Sequence, residues 1–135
     1  MSYWVKRLDE VPLVPTDDPE DSDWYPLQHH FGLSAVGVNA FAGDAGTELV
    51  AEHDERASGQ EELYLVVRGA ARFTLNGEEH DAAAVSVVAV PDTAVTRAAV
   101  ATEDGTIVLA VGAPAESGFA TTWTSAHFER VPRAD

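Results

Sequence analysis

The chain has 135 residues, 45 % of them hydrophobic but only 8 % aromatic, and a formal charge of −15. One domain of this size buries roughly two-thirds of its unfolded surface, here mainly under Val, Ala and Leu. Eight cations against 23 acids argue against a nucleic-acid backbone or an anionic membrane surface as partner, and the absence of cysteine excludes disulfides, thiolate metal sites and cysteine nucleophiles.

No apolar run approaches the ~20 residues of a spanning helix, and no secretory h-region opens the chain, so the expectation is a cytoplasmic protein. Residues 1–33 are predicted to form an extended arm. Pro12, Pro15 and Pro19 alternate there with Asp17, Asp18, Glu20, Asp21 and Asp23, too polar and proline-rich for a core strand. Trp4 and Trp24 bracket this stretch, and rings of that size predict an arm pinned across the domain or buried in a second copy of the chain.

Residues 34–113 carry the regular pattern. Strands are expected at 35–41, 47–55, 62–68, 70–75, 78–82, 86–90, 95–101 and 106–112. Gly43-Asp44-Ala45-Gly46 and Glu103-Asp104-Gly105 read as turns, and Asn76-Gly77 is a strong hairpin signal because both residues tolerate positive φ. No long segment has an apolar 3.6-residue period, so the chain reads as an all-β closed or sandwiched domain. Residues 114–135 form a tail whose Trp123, His127 and Phe128 are expected to pack back onto the barrel.

The segment Glu62-Leu63-Tyr64-Leu65-Val66-Val67-Arg68-Gly69, with His53-Asp54-Glu55 before it and Ala71-Arg72-Phe73-Thr74-Leu75-Asn76-Gly77 after it, resembles the first motif of the cupins. The resemblance covers about residues 35–112 and implies a double-stranded β-helix, the jelly-roll barrel of RmlC-like proteins, with an irregular N-terminal arm and C-terminal tail. The chain departs from the family pattern at several places. Glu55 stands where a second histidine is usual, and the gap from Glu55 to Glu62 is longer than the family's. In the second motif only Pro91 survives; Val85, Thr93, Thr96 and Val100 replace its glycines, histidine and asparagine.

The full family motif implies three imidazoles and a carboxylate around Fe, Mn, Ni or Zn. Here period-2 alternation puts His53 and Glu55 on one face of their strand, and Glu62 can point to the same interior. One imidazole and two carboxylates can hold a divalent ion, though losing two nitrogen donors weakens a transition-metal site. Tyr64 shares parity with Glu62, and Thr96 offers a neutral hydroxyl at the eroded second motif. Arg97, of opposite parity to Thr96, is expected outside or at a dimer contact. The alternative for His53, Asp54 and Glu55 is a strand-end surface, with Glu62 paired to Arg56 or Arg97. His29-His30 reads as arm surface, and His80 as exposed beside the hairpin turn.

Three functions follow. The first is binding of a small molecule in the barrel through His53, Glu55, Glu62, Tyr64 and Thr96, with no cofactor or only a weakly bound divalent metal. The second is a metal-dependent dioxygenase or isomerase, with His53, Glu55 and Glu62 as ligands and Tyr64 as proton donor. The third is a non-catalytic accessory protein in which the arm is exchanged between the protomers of a homodimer.

Overall fold

Short runs of alternating apolar residues give strands rather than helices almost throughout the computed structural model, which describes residues 3–117 and 125–134. The elements are β1 (Asp23–Tyr25), α1 (Leu27–Phe31), β2 (Gly37–Gly43), β3 (Glu48–His53), β4 (Gln60–Arg68), β5 (Ala70–Leu75), β6 (Glu78–Ala83), β7 (Val87–Val90), β8 (Arg97–Ala101) and β9 (Thr106–Pro114). Two antiparallel sheets result, one ordered β1-β2-β9-β4-β7 and the other β3-β8-β5-β6. From β2 onward every connection crosses from one sheet to the other, except the Asn76-Gly77 hairpin between β5 and β6. That winding is the jelly roll expected from the sequence.

The core lies between the sheets. Tyr64, Val66, Ala71, Phe73, Ala99, Ala101 and Val108 are each at most 1 % exposed. On β9 burial alternates residue by residue, with Thr106, Val108 and Ala110 inward. This is the period-2 pattern that one buried sheet face imposes. Between β4 and β5, Gly69 has φ +77°, and a Cβ there would lie 2.3 Å from Thr106 Oγ1. Positive φ and close approach both demand glycine at this corner.

Within residues 1–33 a single 3-10 turn (Leu8–Glu10), β1 and α1 go beyond the extended arm expected there. Asp23–Tyr25 adds a strand to the edge of the five-stranded sheet, pairing Trp24 with Phe41. The Trp24 ring packs 6.1 Å from that of Phe41, and its Nε1 donates to Asn39 Oδ1 at 2.8 Å. His29 and His30 lie on α1 rather than on extended chain, and the helix stops at Gly32, φ +68°. Lys6 Nζ sits 2.9 Å from His30 Nε2, and Trp4 packs against Phe31 at 5.8 Å. Of the tail residues expected to pack back, Phe128 is half exposed and Trp123 lies outside the described residues. No helix among the described residues is long and apolar enough to cross a membrane.

Candidate functional site

His53 reaches the interior through an irregularity in β3. Val50 faces Ala99 and His53 faces Arg97, so three steps along β3 span two along β8. Such bulges turn neighbouring side chains to the same side, and the adjacent Leu49 and Val50 are both buried, at 3 % and 6 %. On the opposite sheet, β4 carries Glu62, Tyr64 and Val66 on its inward face. Glu62 stands opposite Gly112 of β9, where a Cβ would come within 3.0 Å of Glu62 Cγ. The missing side chain at 112 is what gives the carboxylate its room.

The imidazole at 53 and the carboxylate at 62, from different sheets, approach to 3.7 Å. Glu55 is presented by a loop rather than by strand parity: its N–H donates to Thr93 O at 2.9 Å and its carbonyl accepts from Gly59 N–H. Its Oε1 lies 2.9 Å from His53 Nε2, and the Ser58 hydroxyl donates to Oε2. His53, Glu55 and Glu62 thus bring one potential ligand atom each within 4.8 Å of one another.

Arg97 corrects the sequence reading. Expected outside, it is fully buried, and its Nη1 donates to Glu62 Oε1 at 2.8 Å. Its Nε and Nη2 donate to the Val95 carbonyl at 3.1 and 2.8 Å, and Nη2 also reaches Asp92 O at 3.3 Å. Parity misled because β8 begins only at Arg97. Residues 92–95 are a turn closed by Val95 N–H on Asp92 O, so strand alternation cannot be counted through them. Thr96 falls one position out of register with the cluster. Its N–H donates to Asn76 Oδ1 and its carbonyl accepts from Asn76 N–H, tying it to the hairpin turn. Arg56, the other cation considered for Glu62, pairs with Asp54 at 3.4 Å.

Tyr64 donates its phenol proton to Glu62 Oε1 at 2.8 Å. Burial, then the charge of Glu62, pushes that phenol well above its ordinary range, so it stays neutral and gives up its proton reluctantly. Glu55 shows the opposite balance. Desolvation alone would raise its carboxyl, but the hydrogen bond from Ser58 and the contact with His53 outweigh it and hold the group below the usual carboxylate range. His53 Nδ1 lies 2.7 Å from Ala51 O, and a carbonyl only accepts, so Nδ1 carries a proton.

The residues fit a tightly held divalent metal poorly. Three donors converge, and a backbone-anchored Nδ1 is how a ligating histidine is commonly oriented. Against this, Nε2 is committed to Glu55, and a buried guanidinium already sits on Glu62. A dication entering there would face Arg97 at close range in a medium that screens poorly.

Beside the cluster lies a cavity of about 250 Å³. Phe41, Leu49, Val50 and Ala110 form its apolar walls, while Asn39, His53, Glu62 and Tyr64 bring polar groups to it. Glu55 and Thr96 do not line it. Asn39 and the apolar wall were not singled out from sequence. Asn39 lies inward beside Phe41 in an otherwise apolar strand, the one weak signal that could have marked it.

No protein-family profile matches the sequence, and no curated protein matches it. Solved structures do. A sugar phosphate isomerase of the cupin superfamily from Silicibacter pomeroyi superposes with a TM-score of 0.64 at 21 % identity, covering 78 % of this chain and 73 % of its own. KdgF from Halomonas gives 0.63 at 20 % identity, covering 78 % and 90 %. A Klebsiella pneumoniae protein with a double-stranded β-helix domain gives 0.62 at 18 % identity, covering 86 % and 94 %. At such identities the likeness is one of fold, and the fold is that of a small cupin domain.

Proposed function

We propose that this cupin-fold chain binds a small molecule in the cavity between its sheets, and that Arg97 rather than a tightly bound metal balances the charge of Glu62. The observation that carries this reading is the 2.8 Å contact between the fully buried guanidinium and Glu62 Oε1. A buried carboxylate needs a counter-charge, and here the chain supplies one of its own. Apolar walls with a few convergent polar groups are the usual make-up of a ligand pocket. His53, Glu55, Glu62 and Tyr64 are the residues of this site. Glu55 acts through His53, and Thr96 is left without a part in it.

Protein purified without an affinity tag, subjected to elemental analysis and to melting scans with Fe, Mn, Ni and Zn, tests the metal half of the reading. The expected result is sub-stoichiometric metal and no thermal shift beyond that of a His53→Ala variant. Native mass spectrometry of the same material looks for a retained small molecule. Near-stoichiometric metal that disappears in His53→Ala would overturn the reading in favour of a metal-dependent cupin enzyme. That second reading draws on the convergence of three donors within 4.8 Å.

A further inference from the structure

The cationic groups near the cavity are already spent. Arg97 is not among its lining residues, and its N–H groups go to Glu62 and to the Val95 and Asp92 carbonyls. Both ring nitrogens of His53 are engaged, Nδ1 with Ala51 O and Nε2 with Glu55. Among the described residues, no lysine or arginine lines the cavity. What remains toward a ligand is an acceptor, a neutral donor and an apolar wall. A carboxylate offers about four lone-pair sites, and Tyr64 and Arg97 both bond to Oε1 of Glu62. Asn39 Oδ1 is taken by Trp24 Nε1, which leaves its amide N–H groups as the neutral donor. The volume, about 250 Å³, falls below the drug-sized range of roughly 300–1,000 Å³.

We infer that the pocket selects a small, non-anionic ligand, which presents a hydroxyl or ammonium donor to Glu62 and an apolar portion to Phe41, Leu49, Val50 and Ala110. Phosphorylated and carboxylated molecules are rejected. An anion placed there would bring a further negative charge against Glu62 and Glu55 with no uncommitted cation to meet it. The chain's overall charge of −15 opposes its approach as well. Likeness in fold to a sugar phosphate isomerase therefore does not extend to a phosphate subsite in this cavity. The inference rests on the reading of the cavity as a ligand pocket.

A series of four-carbon probes that differ only in their head group tests it on the full chain: butan-1-ol, butylamine, butyrate and butyl phosphate. Binding is followed by saturation-transfer NMR and by shifts of the His53 and Tyr64 ring signals. The alcohol and the amine are expected to bind, with the two anions weaker by roughly tenfold or more. Glu62→Gln should remove the advantage of the amine over the alcohol. Should that variant fail to fold, the wild-type ranking decides alone. Butyrate or butyl phosphate binding as tightly as the amine would overturn the inference while leaving the pocket reading intact. Silence from all four probes at tens of millimolar would overturn both.

Discussion

Glu62 is the residue on which the others turn: Tyr64 and Arg97 both donate to its Oε1, His53 stands 3.7 Å away, and Gly112 leaves it space. Arg97→Met leaves the carboxylate in place without its cation, and truncating one partner of a buried pair typically costs about 3–5 kcal/mol. Urea unfolding should show a loss of that order, with a substantial part regained in the double variant Arg97→Met, Glu62→Gln. A second prediction concerns acid. The folded-state carboxyl of Glu55 is held below its unfolded value, desolvation being outweighed by its contacts with Ser58 and His53. Its stabilising contribution is therefore complete above the unfolded value of about 4.3 and is lost as pH falls through the folded value. Melting temperature followed downward through the acidic range should fall less steeply in Glu55→Gln than in the parent, and an unchanged slope would dismiss the Glu55 contacts as a source of stability.

At the level of elements, two local devices aim the site. The bulged end of β3 brings His53 opposite Arg97, and the turn before β8 starts that strand with Arg97 inward. Neither follows from counting alternate residues, which is why Arg97 was placed outside and Thr96 inside by the sequence. The β4–β5 corner, in contrast, was fully legible. The spacing from Glu62 to Gly69 holds because Gly69 alone tolerates φ +77° with Thr106 Oγ1 where a Cβ would be. Gly69→Ala must both strain the backbone and displace Thr106, whose hydroxyl donates to Ala70 O and Glu103 O. A destabilisation of about 2–3 kcal/mol is expected by chemical denaturation. Gly112→Ala offers a contrast: φ is unstrained, but the new methyl would meet Gln60 Oε1 at 2.8 Å and Glu62 Cγ at 3.0 Å. Its signature should be displaced His53 and Tyr64 NMR signals more than lost stability.

On the scale of the whole molecule, the outer face of the five-stranded sheet is unusually apolar for a surface. Leu63 is 40 % exposed, Val67 46 % and Val87 57 %, and a groove of about 440 Å³ runs past Leu63, Ala89 and Val111. Contiguous apolar surface of this kind is what a protein interface buries, and it supports the proposal of a homodimer. Light scattering on the parent and on Leu63→Asp should show a dimer reduced to a monomer; a monomeric parent would end that proposal. The all-β architecture, the hairpin at Asn76-Gly77 and the shared face of Glu62 and Tyr64 were determined by the sequence alone. They depend on period-2 burial and on backbone demands confined to a few consecutive residues. What only the tertiary structure decided is which cation faces Glu62 and which groups close around the cavity. Arg97, Glu62 and Asn39 come from three strands of two sheets. Their meeting depends on a bulge and a turn whose geometry is set by packing across the barrel, and local composition carries no trace of that packing.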